Sequence, residues 1–234
     1  GADNVYDVTV QVSDGLGGTD TQAIAVTVTN VNEAPVITSD GGGATASVNA
    51  AENQTAVTTV TATDPDAGTT LTYSISGGAD SSLFTIDSST GVLSFSTAPD
   101  FETPTDSGSD NVYDVTVEVS DGLGGIDTQA ISVTVTNVNE APVTTSDGGG
   151  ATASVNAAEN QTAVTTVTAT DPDAGASLTY SITGGADAAL FTIDASTGVL
   201  SFSTAPDFET PIDSGADNVY DVTVQVSDGL GGTD

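Results

Sequence analysis

Acidic residues carry almost all the chemistry open to this chain: 33 Asp and Glu stand among 234 residues without a single Lys, Arg, His or Cys. They recur in short constellations. Glu52 sits in Ala51-Glu52-Asn53, Asp64 and Asp66 flank a proline, Asp100 and Glu102 flank Phe101, Asp121 opens Asp-Gly-Leu-Gly-Gly, and Asn137, Asn139 and Glu140 fall in Thr-Asn-Val-Asn-Glu-Ala-Pro. A hard cation such as calcium takes six to eight oxygen ligands, and carboxylates, Asn side chains and backbone carbonyls in irregular loops supply such a shell. Asp-x-Asp and Asp-x-Glu put two carboxylates on one extended turn. Other chemistries drop out: without His, Cys or Lys no Ser-His or Cys-His nucleophile and no Schiff base can be assembled. A formal charge of -33 repels phosphates and anionic lipid heads, which excludes nucleic acid as a partner. No apolar run approaches membrane-spanning length, so direct membrane insertion is excluded as well.

The elements that must position these acids are read from a repeat. Asp-Gly-Leu-Gly-Gly begins at Asp14, Asp121 and Asp228, a period of 107 residues, and Thr21–Asp127 differs from Thr128–Asp234 at 12 positions. The expected organisation is the C-terminal part of one repeat over residues 1–33, a complete repeat over 34–140, and a repeat lacking its last strand over 141–234, a window on a longer array. Within the complete repeat, Tyr113, Val115, Val117 and Val119 alternate with polar residues, as do Ile131, Val133 and Val135. Both patterns predict half-buried strands joined by a hairpin at the glycine-rich loop. Five shorter strands are predicted near 44–49, 56–62, 71–76, 83–87 and 91–96, between Gly, Pro, Asp and Ser turns. Seven short strands in about 100 residues describe an all-β chain of tandem seven-stranded Greek-key β-sandwiches, Ig-like, in an end-to-end array. Phe84, Phe95, Phe101, Leu71, Tyr73, Ile75 and Ile86 are the larger core candidates.

The order of these motifs resembles the cadherin repeat, specifically the bacterial cadherin-like domains of long surface proteins, over essentially the whole chain. That resemblance implies Ca2+ at each boundary between repeats. The complete boundary would use Glu52, Asp100 and Glu102, then Asn137, Asn139 and Glu140 of the linker, then Asp171, Asp173 and Asp228. An earlier boundary would use Asn30, Asn32, Glu33, Asp64, Asp66 and Asp121, and a later one Glu159, Asp207 and Glu209. The family linker usually reads Asp-x-Asn-Asp-Asn-x-Pro; here it is one residue shorter with Asn137 for its first Asp, which leaves two or three ions per boundary.

Electrostatics ask for a cation independently: two carboxylates about 4 Å apart repel by roughly 1 to 4 kcal/mol near a protein surface, and no basic side chain offsets them. Asp106, Asp110, Asp114, Glu118 and Asp127 match no ligand position and read as solvated surface. The glycosylation-type triplets at Asn53 and Asn160 read as structural. The expected function is non-enzymatic: a calcium-rigidified stalk or spacer of an extracellular or cell-surface bacterial adhesin or surface fibre, with adjacent repeats of the same chain as its partners. The alternative is a module that binds glycans, or that pairs with identical chains in a fibre, building a filament or biofilm matrix.

Overall fold

The computed structural model of the chain describes residues 3–234. They divide into two compact units, the first taking in the chain up to Ala50 with Thr55–Thr97 and Val112–Thr134, the second Ala51–Gln54, Ala98–Asn111 and Val135–Asp234. Among the described residues the structure is all β, with three short 3-10 turns and no α-helix.

Two strands, β1 (Val5–Ser13) and β2 (Thr19–Thr27), form an antiparallel hairpin, and β3 (Val36–Ile37) follows a linker. The complete repeat continues with β4 (Thr45–Ala51), β5 (Ala56–Thr59), β6 (Ala62–Thr63), β7 (Thr72–Gly77), β8 (Phe84–Ile86), β9 (Val92–Phe95), β10 (Val112–Ser120) and β11 (Ile126–Thr136). Strand order is β4-β11-β10-β7 in one sheet and β5-β9-β8 in the other, while β3 pairs with β6. The sheets meet where Phe95 stacks on Phe84 with ring centroids 4.7 Å apart and presents its edge to Tyr113 at 5.2 Å. This is the sandwich the alternating patterns predict. Tyr113, Val115, Val117 and Val119 of β10 and Ile131 and Val133 of β11 are buried, with intervening residues turned outward. Of the larger core candidates Phe84 and Phe95 are buried, whereas Leu71, Tyr73, Ile75, Ile86 and Phe101 are half-exposed. The valine row carries the core instead.

One of the seven predicted strands is broken and one strand is unpredicted. The segment near 56–62 divides into β5 and β6 at Val60, whose N–H turns to the Gly91 carbonyl at 2.8 Å. The first strand has an unpredicted partner piece, β3, and between β3 and β4 four consecutive residues, Asp40 to Gly43, take positive φ. Three of them are glycine, the residue that adopts this conformation at little steric cost. The turn moves the chain from β6 to β11.

The hairpin loops form as predicted. Asp121 accepts the N–H groups of Leu123 at 2.7 Å and Gly125 at 2.9 Å, and the same bonds recur at Asp14 and Asp228. Registers agree as well, Val5 facing Thr27 as Val112 faces Thr134. Val10 is 46% exposed and its counterpart Val117 fully buried.

The second unit repeats the scheme with β12 (Val143–Thr144), β13 (Ala163–Thr166), β14 (Ala169–Thr170), β15 (Thr179–Gly184), β16 (Phe191–Ile193), β17 (Val199–Phe202) and β18 (Thr223–Ser227). Its pairs are β12-β14, β13-β17-β16 and β15-β18. Phe191, Leu200 and Phe202 form its core, covered by Val164, Ile182, Leu190 and Tyr220. Residues 151–158, the counterpart of β4, are exposed and form no strand. The counterpart of their partner β11 comprises only Thr233 and Asp234 here.

Candidate metal centre

Glu52 follows the end of β4, where its N–H bonds the Thr136 carbonyl at 3.1 Å. Only 3% of the residue is exposed, and its carboxylate accepts the N–H groups of Phe101 and Val138, each at 2.7 Å. One side chain thus ties the Asp-Phe-Glu loop to the linker. Asp100 folds back to accept the N–H groups of Glu102 at 2.9 Å and Thr103 at 3.0 Å, which aims both acids of that loop at one side. Oxygens of Glu52, Asp100 and Glu102 lie within 4.8 Å of one another, and so do those of Glu102, Glu140 and Asp173. All of these residues belong to the second unit.

The linker is held by amide-carboxylate bonds. The Asn137 amide donates to Glu102 at 3.1 Å and to Asp173 at 2.8 Å; the Asn139 amide donates to Asp228 at 2.8 Å; and the Glu140 N–H donates to Asp173 at 2.8 Å. Asp171 turns on itself to accept the Asp173 N–H at 2.9 Å. The first unit repeats the pattern: Asn30 donates to Asp66, Asn32 to Asp121 at 2.7 Å, the Glu33 N–H to Asp66 at 2.9 Å, and the Asp66 N–H to Asp64 at 2.7 Å. Glu159, Asp207 and Glu209 also converge within 4.8 Å, all exposed; the Phe208 N–H reaches Glu159 at 3.1 Å.

These environments shift the carboxyls in opposite directions. Burial, reinforced by Glu52, Glu140 and Asp173, pushes Glu102 above its ordinary 4.5. Burial likewise pushes Glu140 up, with Glu52, Asp173 and Asp100 adding to it against the Asn53 amide. Asn30, Asn32 and Asn139 hold Asp66, Asp121 and Asp228 below 3.8, and the Thr103 hydroxyl does the same for Asp100. A carboxyl with a raised folded-state pKa adds stability as pH falls toward its unfolded value; one with a depressed pKa loses its contribution below it. The metal-stripped chain is therefore expected to melt higher as pH falls from 7 toward 4.5, and lower again below 3.8, as thermal denaturation across that pH series will show.

Residues fit a hard cation by two tests. The donors are oxygens throughout, and one oxygen each of Glu140, Asp171 and Asp64 is buried with no hydrogen-bond partner among the described residues. A buried carboxylate oxygen lacking a donor is costly unless something positive meets it.

Two of the acids expected to be solvated surface, Asp106 and Asp127, are drawn into the structure instead. Asp106 is buried and accepts the N–H groups of Asp110 and Asn111, both at 3.1 Å, and these bonds outweigh burial to lower its pKa. Asp213 repeats this with Asp217 and Asn218, while Asp187, also buried, collects Ser214 at 2.7 Å and Asp221 at 2.9 Å. Buried Asp80 accepts the Asp114 N–H at 2.8 Å. Half-buried Asp127 accepts the Ile37 N–H at 2.8 Å and so fixes β3. Asp114 accepts the Ser132 hydroxyl at 2.6 Å. Asp110 and Glu118 are exposed and half-exposed. The segment at 103–110 is thus a loop wound on its own aspartate. The spacing Asp-Ser-Gly-x-Asp-Asn, present in both copies, is the signal that marks it. Asn53 of the glycosylation-type triplet donates its amide to Glu140, a structural role.

Fold and repeated boundary geometry define a tandem sandwich protein with acidic junctions. Residues 45–138 and 152–234 match the cadherin domain, and the chain belongs to that family. It is 37% identical over 161 residues to human protocadherin Fat 4 and 30% identical over 233 residues to human protocadherin Fat 1. These alignments take in 66% and 96% of this chain but 3% and 5% of those much longer proteins. Among solved structures, human CDH23 EC21-23 matches 95% of this chain and 68% of its own at 21% identity, with a TM-score of 0.57. Human protocadherin-24 EC1-2 matches 83% of this chain and 86% of its own at 23% identity, with a TM-score of 0.52. At those identities the likeness is one of fold. Among the described residues no helix is long and apolar enough to cross a membrane.

Proposed function

We propose that this chain is a calcium-stiffened structural segment of a long extracellular adhesion or surface protein, its repeats acting as spacer. The observation that carries the reading is the convergence of Glu52, Asp100, Glu102, Glu140 and Asp173 with a buried, donorless oxygen on Glu140, in a sequence that contains no basic side chain. Domains of this family bind calcium between repeats. Here Glu52, Asp100, Glu102, Asn137, Asn139, Glu140, Asp171, Asp173 and Asp228 would hold the ions. Asn30, Asn32, Glu33, Asp64, Asp66 and Asp121 would form the downstream half of an earlier junction, and Glu159, Asp207 and Glu209 the upstream half of a later one. A divalent ion supplies the positive charge that the converging carboxylates otherwise lack. The chain's own part is to pre-aim them: Glu52 through its bonds to Phe101 and Val138, Asp100 through the turn at Glu102, Asp173 through Asn137 and Glu140. Dissociation constants of about 10⁻⁴ to 10⁻³ M, usual for extracellular modules, are expected.

Near-identity of the repeats favours a spacer, since uniform units extend a rod without changing its surface. The bacterial surface setting rests on the motif resemblance; the relatives above are animal proteins. A calcium titration followed by small-angle scattering tests the reading. Calcium should lengthen the particle and chelator shorten it, and unchanged scattering would overturn the proposal. Replacing Asp171 and Asp173 together by Asn should weaken calcium affinity at that junction at least tenfold, while circular dichroism reports both sandwiches folded.

A further inference from the structure

Two peptide groups join the acids of the Asp-Phe-Glu loop, and each is held from outside that loop. Glu52 accepts the Phe101 N–H at 2.7 Å, in the peptide shared with Asp100. The peptide shared with Glu102 is held by Asn111, whose side-chain amide donates to the Phe101 carbonyl at 2.9 Å. Glu102 is the acid common to both carboxylate clusters, so a group that orients its backbone bears on both. The Asn111 side-chain oxygen is buried with no partner among the described residues, so the side chain serves through its donor alone.

Asn111 is itself clamped. Its N–H donates to the buried Asp106 carboxylate at 3.1 Å, and its carbonyl accepts the Val135 N–H of β11 at 2.9 Å. Its φ of +63° is left-handed, as is that of Ser109 at +52°. Such conformations are costly outside glycine and persist where surrounding contacts over-determine them. Asp106 supplies those contacts, accepting the Asp110 N–H at 3.1 Å as well, and Gly108 leaves room for the wrap: a Cβ there would stand 3.0 Å from an Asp110 oxygen and 3.3 Å from one of Asp106. The second copy repeats each step. Ala216 and Asn218 take φ of +51° and +65°, Asp213 accepts the Asn218 N–H at 3.1 Å, the Asn218 amide reaches the Phe208 carbonyl at 3.1 Å, and the Phe208 N–H reaches Glu159. Alanine has no preference for that conformation, so the loop imposes it.

From this repeated chain of bonds we infer that Asn111, wound into place by Asp106, is a positioning residue for Glu102 and sets how tightly the Asp-Phe-Glu acids hold a divalent cation, as Asn218 does for Glu209. The inference rests on the calcium reading for the ion but not for the anchoring. A loop that only closed the end of the sandwich would need Asp106 but no amide aimed at the Phe101 carbonyl. Asparagine meets both demands, since it tolerates a left-handed backbone and carries an amide donor.

Asn111→Gly isolates the amide, because glycine keeps the left-handed backbone and removes only the bond to Phe101. Amide NMR of the intact chain reads the outcome residue by residue. In chelator the variant should exchange its Glu102 amide at least tenfold faster than wild type, with the β10 and β11 amides unchanged. On calcium titration, half-saturation at the Phe101 and Val138 resonances should move to at least tenfold higher calcium, while Asn218→Gly leaves it at the wild-type value. Asp106→Asn, which turns an amide NH2 toward one of the N–H donors, should accelerate the Glu102 amide too; if it does not, Asp106 has no part in the anchoring. Unchanged Glu102 exchange in Asn111→Gly would overturn the anchoring, and wild-type half-saturation would overturn the positioning. An equal shift from Asn218→Gly would mean general loosening and overturn it as well. Wild-type Phe101 and Val138 resonances that ignore calcium would sink the calcium reading alone, because the chelator result stands without it.

Discussion

Replacing Glu52 by alanine is expected to cost about 3 kcal/mol in chelator and to abolish the calcium response of its junction. The first effect follows from the two N–H groups, of Phe101 and Val138, that a buried carboxylate now accepts at 2.7 Å. Hydrogen bonds to charged groups contribute about 1.5–3 kcal/mol each, and an abandoned buried donor costs about 1–3 kcal/mol. The two are not additive, which keeps the sum near the value of one. The second effect follows from geometry: Glu52 shares the first cluster with Asp100 and Glu102, and Glu102 belongs to both clusters. An ion present at ten times its dissociation constant stabilises the folded chain by about 1.4 kcal/mol, and that increment disappears with its ligands. Glu52→Gln separates the contributions, keeping an oxygen for one N–H while removing the charge. Denaturant melts with and without calcium should show alanine low in both and glutamine intermediate in chelator, since its amide NH2 faces one of the two N–H donors, but unresponsive to calcium. A glutamine variant with the full calcium increment would remove Glu52 from the ligand set.

The parts of the fold written in short-range pattern are the parts legible from sequence. Alternation over Tyr113–Val119 and Ile131–Val135 defines both strands, and Asp-Gly-Leu-Gly-Gly defines their loop, since hairpin register is local: β1-β2 and β10-β11 share it. Strand β3 was illegible because a two-residue strand has no period to read, and it exists only through β6 and the Asp127 carboxylate. Phe101, Leu71 and Tyr73 drew attention by size, yet β10 and β11 lie central in their sheet and fill the core with valine. For the candidate site, types and order of the acids were legible, while the work of the linker asparagines was not. Whether an Asn offers a ligand oxygen or a donor amide depends on what faces it. Asp106 misled for a related reason: an aspartate in a Ser/Gly-rich stretch looks solvated until the loop wraps its own N–H groups around the carboxylate.

Phe95→Ala is expected to be the most destabilising single change in the complete repeat, about 3–5 kcal/mol, because the ring is 97% buried, stacks on Phe84 and meets Tyr113 edge-on where the two sheets pack. For a domain of this size each kcal/mol lowers the melting temperature by about 4–8 °C, so a fall of 12 °C or more should appear in calorimetry. The same replacement at Phe202 has the same ring geometry, centroids 4.7 Å from Phe191 and 5.1 Å from Tyr220. Its surroundings are looser: a cavity of about 50 Å³ lined by Leu190, Pro206, Ile212 and Tyr220 already borders it, and the Tyr220 hydroxyl is buried without a partner among the described residues. Less contact is lost there, so Phe202→Ala should cost less than Phe95→Ala, and equal costs would contradict the packing argument. The junction depends on this core in one direction only. Strand β11 ends at Thr136, whose carbonyl accepts the Glu52 N–H, so a sandwich that lets β11 fray releases Glu52 from the linker and with it the pre-aimed carboxylates. Phe95→Ala should therefore weaken calcium binding at a joint it does not touch, whereas Glu52→Gln should leave the valine core intact; calcium titrations of the two variants, set beside their chelator melts, distinguish the remote effect from the direct one.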